Sequence, residues 1–310
     1  MTNKISNRQA ICETLLELAQ NDQKIIVLTS DSRGSAGLEP FVKAFPEQFV
    51  ETGIAEQNIV GIAAGLASSG KKPIVASPAC FLSTRAAEQV KVDVAYSRQN
   101  VLLLGISGGI SYGALGMTHH SLQDIAYIRA IPGIDVIIPC DRFESSEVIR
   151  DLMSNPRPAY VRIGRNAVED VFNEEKTGYT RGKATKVFEG TDAAIIANGE
   201  TVRIALDAAD LLFNIGISIK VFDMHTLKPF DEQAVLEAAK TGFILTLEEH
   251  SIYGGLGAAV AQTVCANTPI PVKCIALPDK PLVTGSSKEV FEYYGITAQN
   301  LAETIQKQIH

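Results

Sequence analysis

The sequence lacks several features that would assign it to particular classes of protein. Its five cysteines form no CxxC pair, its five histidines have no zinc-motif spacing, and it has no long run of Lys or Arg. The longest apolar runs are far shorter than the roughly 18 residues that cross a bilayer. With 28 basic and 35 acidic residues, the formal net charge is -7. These absences predict reduced, buried thiols and no metal site formed by this chain alone, and they argue against binding to nucleic acid or membrane. The first ten residues contain no apolar signal core, which predicts a cytoplasmic protein.

The composition and the apolar pattern predict an α/β protein of two domains. Hydrophobic residues make up 46% of the 310 residues and charged residues 20%, as in globular proteins. Short apolar runs alternate with helix-period segments, which is typical of parallel sheets with crossover helices. The predicted strands span residues 24–29, 73–77, 101–107, 136–139, 160–163, 193–197, 217–222, 243–247 and 272–277. We predict two doubly wound domains with mostly parallel sheets, at 1–170 and, smaller, at 191–310, joined by a polar linker at 171–190. A continuous helix is predicted at 83–97.

The segment ETGIAEQNIVGIAAGLA, residues 51–67, places Glu56 where a loop turns into a helix. An acidic residue in a first turn complements the helix dipole and needs no further role. Gly61 and Gly65 lie four residues apart on one helix face, so another backbone can approach closely. That neighbour is either this chain's own sheet or another subunit, and the pattern alone leaves both open.

The same segment resembles the glutamate motif of the thiamine-diphosphate enzymes of the transketolase family. Further motifs that match the family follow in order along the chain: FLSTRAAEQ, GMTHHS, RAIPG, PCD, VRIGR and EEHSIYGGLG. The resemblance therefore covers nearly the whole chain. It implies that the first domain is a pyrimidine-binding domain and that the second is a transketolase C-terminal domain.

One family motif is absent, namely the GDG sequence followed after a spacer by Asn, which holds the cofactor's diphosphate and Mg²⁺. The chain therefore resembles the second subunit of a split transketolase. This implies a partner subunit that carries the diphosphate-binding domain and the magnesium ligands, and an assembly with two copies of each subunit. The implied cofactor is thiamine diphosphate, the implied substrates are sugar phosphates, and the implied reaction is transfer of a two-carbon ketol unit.

The resemblance also implies which residues act on the cofactor and the sugar. The matching family glutamate hydrogen-bonds the aminopyrimidine ring, so Glu56 is expected to be catalytic and cofactor-binding. Phe81 matches the aromatic residue that stacks on the pyrimidine. His119 matches the histidine of the THQ motif, which contacts sugar oxygens, and His120 stands in place of the Gln. We expect His119 to be catalytic and both histidines to bind substrate.

Two further groups of residues are expected at the ends of the site. Arg165 aligns with a family arginine that anchors phosphate, and Arg8 and Ser35 match other anchoring groups near the less specific N-terminus. Asp31 stands where the family has an aspartate after the first strand. Arg85 follows on the helix that carries the pyrimidine-stacking residue, and we expect both Asp31 and Arg85 beside the cofactor.

Two departures from the family bear on the substrate. Leu115 stands where transketolases carry the Asp of a GEDG sequence, which meets a sugar hydroxyl. The small stretch Ser107–Gly109 replaces a segment with a basic residue that helps to bind phosphate. We therefore expect a non-standard ketose or aldose phosphate.

Three alternatives remain at this stage. The β subunit of a 2-oxoacid dehydrogenase shares the domain order, the length and the glutamate. A deoxyxylulose-phosphate synthase remnant and a non-catalytic homologue that serves as a scaffold for a partner are the others. GIAEQN and the Thr-His-His step favour transketolase, and the presence of Glu56, Phe81 and His119 favours an enzyme.

Overall fold

The computed structural model describes residues 5–175 and 177–309. The strands are β1 (Ile25–Thr29), β2 (Phe49–Glu51), β3 (Lys72–Pro78), β4 (Leu102–Ile106), β5 (Asp135–Ile137), β6 (Ala159–Arg162), β7 (Thr185–Phe188), β8 (Ala193–Ala197), β9 (Ile219–Asp223), β10 (Thr226–Lys228), β11 (Ile244–Ser251) and β12 (Val272–Leu277). The helices are α1 (Asn7–Ala19), α2 (Arg33–Ala36), α3 (Glu39–Ala44), α4 (Glu56–Ser68), α5 (Ala79–Thr84), α6 (Ala87–Gln89), α7 (Asp124–Ala130), α8 (Arg142–Ser154), α9 (Thr201–Phe213), α10 (Glu232–Ala239), α11 (Leu256–Asn267), α12 (Ser287–Tyr294) and α13 (Ala298–Ile309). A π-helical segment covers Val90–Tyr96, and short 3₁₀ turns cover Pro46–Gln48 and Gly113–Thr118. Within these residues, every helix is too short or too polar to cross a membrane.

Seven strands form the first sheet, in the order β10-β5-β6-β4-β3-β1-β2. All neighbours in it are parallel except β10 and β5. Strands β1 and β4 are buried along their whole length. Helices α1 and α8 pack on one face, and α4 and α7 pack on the other, which explains why these strands are continuous apolar runs. The chain changes direction across the sheet between β1 and β3, and such a switch point opens a crevice at the carboxyl ends of the strands.

Five strands form the second sheet, in the order β12-β11-β8-β9-β7. Its neighbours are parallel except β7 and β9. Helices α9 and α13 cover one face, and α10 and α11 cover the other. The prediction of two α/β domains with mostly parallel sheets is confirmed.

The nine predicted strands are all present, with ends that shift by a few residues. Three short strands were not predicted, namely β2, β7 and β10. Strand β7 lies inside the predicted linker at 171–190, and this part of the linker prediction is wrong because the strand pairs with β9 in the second sheet. The predicted helix at 83–97 is also wrong as a single unit. It breaks at Ala86, whose φ of -99° and ψ of 20° leave the helical region.

Strand β10 lies in the second half of the sequence but joins the first sheet. It pairs with β5 through Thr226 opposite Ile137 and Lys228 opposite Val136. Beside this pairing, the Ile138 N–H donates to the His225 carbonyl at 2.7 Å. The two domains are therefore joined by strand pairing as well as by the chain that connects them.

Four polar side chains are buried where the domains meet, and we call them the interdomain cluster: Cys140, Glu144, Asp223 and His225. The Cys140 sulfur and carboxylate oxygens of Glu144 and Asp223 lie within 4.8 Å of one another. His225 Nε2 lies 3.9 Å from Glu144 Oε1. Burial raises the pKa of Asp223 to about 7 and that of Glu144 well above its usual range, and burial lowers the pKa of His225 to about 4. The carboxyl groups are thus biased towards the protonated form and His225 towards the neutral form.

The five cysteines are all free thiols. Cys12 and Cys140 are buried, as predicted, and Cys80 and Cys274 are partly buried. Cys265 is exposed, so the prediction is wrong for this residue. It lies in the last turns of α11, on the side of the helix away from the sheet, where an apolar sequence neighbourhood does not imply burial.

Candidate active site

The predicted site residues gather at the carboxyl ends of the first sheet. Asp31 follows β1, Glu56 opens α4 after β2, and Phe81 lies on α5 directly after β3. His119 ends the long loop after β4, and Arg165 follows β6. Because carboxyl ends of parallel strands meet at one edge, five segments that are distant in sequence form one crevice at the switch point.

Glu56 is the first residue of α4 and is only 2% exposed. The preceding Ala55 has a non-helical backbone and cannot cap the helix with its side chain. The Glu56 carboxylate faces Arg85, whose Nη1 donates to Glu56 Oε2 at 2.7 Å. Arg85 has 44% of its side chain exposed. The partner of this buried carboxylate is therefore a cation that lies at the rim of the crevice and contacts solvent.

Arg85 makes a second contact, with the ring of Phe81. Its guanidinium carbon lies 4.2 Å from the ring centroid, which is a cation–π arrangement. The space next to Glu56 and Phe81 thus already holds a flat group that donates an N–H bond to the carboxylate and stacks on the aromatic ring. An aminopyrimidine is also flat and also bears N–H donors, so the residues present fit the pyrimidine of thiamine diphosphate.

His119 lies next to Phe81 in the crevice. The ring centroids are 5.3 Å apart and the rings meet edge to face. The Thr118 hydroxyl lies 2.9 Å from His119 Nδ1, which leaves Nε2 as the nitrogen free to meet a ligand. The structure therefore places Glu56, Arg85, Phe81 and His119 in one continuous row.

Tyr112 extends this row and was not predicted from the sequence. Its ring meets His119 edge to face, with centroids 5.3 Å apart. On the other side, the guanidinium carbon of Arg165 lies 5.5 Å from the Tyr112 centroid. A tyrosine in a glycine-rich loop has no motif that marks it, and only the folded loop brings it between two predicted site residues.

Arg165 and Arg8 form the other end of the row. Burial lowers the pKa of Arg8, and the nearby charge of Arg165 lowers it further, whereas Glu39 and Tyr112 raise it. Arg8 Nη1 donates to the Ser35 carbonyl at 2.8 Å. Two guanidinium groups held close together are typical of an anion-binding site. Ser35 thus lies beside Arg8 and accepts this bond through its backbone carbonyl.

His120 and Asp31 occupy different positions from those residues. His120 is 4% exposed, its Nε2 lies 3.1 Å from the Gly113 carbonyl, and burial lowers its pKa. It fastens the 3₁₀ turn at 113–118 and lines a cavity of about 160 Å³ beside Phe81. Asp31 is exposed, has a φ of 56°, and its N–H donates to Glu51 Oε1 at 2.7 Å. Asp tolerates this left-handed conformation better than most residues, which suits a tight turn after β1.

A buried charged network lies under the loop that carries Tyr112 and His119. Arg162 Nε lies 3.2 Å from Asp124 Oδ2, and the Tyr160 hydroxyl donates to the same oxygen at 2.7 Å. Arg162 Nη2 donates to the Glu249 carbonyl at 2.7 Å, and Glu249 Oε1 accepts from the Ile110 N–H at 2.9 Å. This network bonds the loop to both domains, so the loop is part of the interface between them.

The glycine-rich turn after β11, at residues 254–257, is bonded to side chains of this same chain. The Leu256 and Gly257 N–H groups donate to the two oxygens of Glu248 at 2.7 and 2.8 Å. The carbonyls of Gly254 and Gly255 accept bonds from Arg129 at 3.0 and 3.2 Å. Since groups of this same chain already satisfy the turn, its geometry agrees with a packing role.

Two family models match the chain. The pyrimidine-binding domain of transketolase matches residues 3–170, and the C-terminal domain of transketolase matches residues 182–301. The chain belongs to the transketolase family. The predicted family is confirmed.

Relatives show which part of a transketolase the chain represents. It is 50% identical to one of the subunits of the apulose-4-phosphate transketolase of Phocaeicola vulgatus, over 97% of each chain. It is 36% identical to a 6-deoxy-6-sulfo-D-fructose transketolase subunit of a Clostridium species, over 95% of this chain and 91% of the relative. A solved structure described as a split gene transketolase, inactive beta4 tetramer, is 36% identical, covers 98% of both chains and has a TM-score of 0.89. The chain corresponds to one subunit of a split transketolase.

The departures from the transketolase pattern have a structural basis. A side chain at Gly108 would collide with Arg162, and one at Gly109, whose φ is 61°, would collide with Glu249. The stretch without the basic residue is therefore required by the buried network beneath it. Leu115 is 53% exposed on the 3₁₀ turn, so an apolar surface lies where transketolases have a carboxylate.

Proposed function

We propose that this chain is the pyrimidine-binding subunit of a transketolase that uses thiamine diphosphate to move a two-carbon ketol unit between sugar phosphates, one of them non-standard. The observation that carries the proposal is the row from buried Glu56 through Arg85, Phe81 and His119 to the arginine pair. It joins a carboxylate and an aromatic face, suited to a pyrimidine, to a cationic end suited to a phosphate.

The cofactor would supply the carbanion chemistry of ketol transfer. Glu56 would hold a proton at the aminopyrimidine ring, and its burial would keep water away from that proton. Phe81 would orient the ring by stacking, and Arg85 would exchange its bond with Glu56 for contact with the cofactor. His119 Nε2 would bind the sugar oxygens, and Arg165 and Arg8 would bind the phosphate.

Two features support a partner subunit, namely the missing GDG motif and the exposed surface near α4. The chain has no GDG motif for the diphosphate and magnesium, so we place these ligands on a partner. Ile54, Val92 and Tyr96 are 73%, 43% and 84% exposed near α4. Among residues 5–175 and 177–309, a Cβ at Gly65 would meet no atom within 4 Å, and one at Gly61 would make an ordinary contact with Asp93. Intrachain packing does not require these glycines, which favours a subunit contact on this face of α4. By family likeness, the assembly would contain two copies of each subunit. We place it in the cytoplasm, as the sequence predicts.

The substrate proposal rests on Leu115 and Ser107–Gly109. An apolar side chain and two glycines replace a carboxylate and a basic residue, so a sugar that needs those polar contacts would bind poorly. The names of the two relatives include apulose 4-phosphate and 6-deoxy-6-sulfo-D-fructose. These two sugars are therefore the first donors to test, next to xylulose 5-phosphate.

The first test is a pull-down of the tagged chain from native cell extract with thiamine diphosphate and Mg²⁺, followed by mass spectrometry. We expect a smaller chain with GDG and a downstream Asn, and the purified pair should transfer a two-carbon unit from one of the unusual donors. Recovery of a lipoyl acyltransferase instead would favour the dehydrogenase alternative. A stable pair that turns over no sugar phosphate would favour a scaffold. Equal efficiency on xylulose 5-phosphate and ribose 5-phosphate would contradict the non-standard substrate.

A further inference from the structure

Tyr112 joins the aromatic part of the row to its cationic end. Its ring lies between His119, at 5.3 Å, and Arg165, at 5.5 Å. On the far side of His119 lies Phe81, where the cofactor is expected, and beyond Arg165 lies Arg8. One aromatic ring therefore lies between His119 and the arginine pair.

Hydrogen bonds fix the backbone of the turn that carries this ring. The Gly113 N–H donates to the Ile110 carbonyl at 2.8 Å, which closes a turn with Tyr112 at its third position. Gly113 has a φ of 57°, and a side chain there would press on the Gly285 carbonyl of the second domain. The Ser111 hydroxyl also donates to the Gly108 carbonyl at 2.7 Å. Bonds within the loop therefore hold the backbone of the turn that carries Tyr112.

We propose that Tyr112 determines specificity by acting as a wall that sets the length and shape of the sugar phosphate between His119 and Arg165. This inference rests on the proposed function, because it assumes that the row binds a sugar phosphate. A ring at this point would limit how far the carbon chain of the sugar can extend or branch between His119 and Arg165. An aromatic face also packs well against the C–H faces of a sugar and displaces water from them.

The side chain also helps to hold the two groups that it separates. Arg165 lies within cation–π distance of its ring. Arg8 lies close enough for the charge of the phenol to raise the pKa of Arg8. Removal of the ring would widen the channel and would release Arg165 from one of its contacts. The expected result is a change in which sugar phosphate is preferred, rather than a uniform loss of activity.

The test uses the assembled enzyme with its partner, thiamine diphosphate and Mg²⁺. Acceptors are glyceraldehyde 3-phosphate, erythrose 4-phosphate and ribose 5-phosphate, each measured as kcat/KM with one donor. Tyr112→Val should shift the ratio of kcat/KM for the five-carbon over the three-carbon acceptor at least tenfold towards the longer one, mostly through KM. Tyr112→Phe keeps the ring and should stay within threefold of the native ratio. The control Tyr253→Val removes a 65% exposed tyrosine away from the row and should leave the ratio unchanged.

The outcomes separate this inference from the proposed function. Turnover by Tyr112→Val with an unchanged acceptor ratio would overturn the role of Tyr112 and leave the transketolase proposal intact. Native enzyme that turns over no sugar phosphate would overturn both. If Tyr112→Val does not fold, as judged by circular dichroism, Tyr112→Leu keeps more apolar volume and is judged by the same ratio.

Discussion

The crevice and the interdomain cluster both contain carboxylates and histidines. They differ in whether a cation pairs with the buried carboxylate. In the crevice, Glu56 is buried but paired with Arg85, whose other side meets solvent. In the cluster, Glu144 and Asp223 lie beside each other without such a cation among the described residues, and burial raises the pKa of both. A buried acid next to a mobile cation is available to a ligand, whereas buried acids next to each other keep a proton and join two domains.

This difference separates functional from structural polar residues better than burial alone. Glu56 and Glu144 are 2% and 0% exposed. What distinguishes them is the next contact, because Arg85 also contacts Phe81 at the crevice, whereas Glu144 lies beside further buried groups, namely Cys140, Asp223 and His225. Three substitutions break the comparison at different points, in order of decreasing effect.

Glu56→Gln should abolish activity and leave the fold intact. The amide keeps the size of the side chain but cannot hold the same proton, and loss of acid–base catalysis costs on the order of 100-fold or more in rate. The stability change should be below about 1 kcal/mol, since the half-exposed Arg85 becomes solvated. Turnover by the pair and thermal unfolding of the chain measure the two effects. Glu88→Gln, at an exposed position on α6, is the control, and a fully active Glu56→Gln enzyme would refute the assignment.

Asp223→Asn should change the pH dependence of stability and leave activity near native. The pKa of Asp223 is about 7 in the folded protein, against an ordinary value of 3.8. The folded state therefore holds a proton that the unfolded state releases, and the native chain loses stability as pH rises from about 4 to 7. Asn mimics the protonated acid, so the variant should gain stability over the native chain across this window, on the order of a few kcal/mol.

Urea unfolding at pH 5 and pH 8 measures this difference. The exposed Asp279→Asn should give the same offset at both pH values and serves as the control. A variant that is less stable than the native chain at pH 8 would mean that the cluster needs its negative charge, as it would if it held a cation.

Gly65→Ala tests the face of α4 and has the smallest expected effect on the chain itself. Alanine is favoured over glycine in a helix by up to about 1 kcal/mol. The added methyl group meets no atom within 4 Å in the part of the chain that the structure describes. The isolated chain should become slightly more stable, while assembly with a partner or a second copy should weaken at least tenfold. Sedimentation of the mixed subunits measures assembly, with Ser68→Ala on the same helix as the control. Unchanged assembly would show that α4 is not in the interface.

The parallel core was predictable because its strands are continuous apolar runs whose burial does not depend on register. Strands β2, β7 and β10 were not, since their short sequences, FVE, TKVF and TLK, each contain a polar or charged residue and form a strand only beside a neighbour. In the same way, the helix predicted at 83–97 ignores the break at Ala86, which no Gly or Pro marks.

The site residues that lie in motifs were predicted, and the structure brings Glu56, Phe81, His119 and Arg165 together. Tyr112 and the network around Arg162 were missed because their importance arises from contacts between loops and between domains. The bond from Arg8 to the Ser35 carbonyl was also not predictable, because side-chain type carries no information about a backbone contact.

Strand β10 makes the boundary between domains in the sequence differ from the boundary in the folded chain. A truncated chain that ends at residue 170 would contain the whole match to the pyrimidine-binding model and still leave the edge of β5 without its antiparallel neighbour. Exposed edges of this kind recruit other strands and promote aggregation. The smallest segment that can be expressed and studied as a stable unit is therefore longer than the family match, and it extends at least through Lys228.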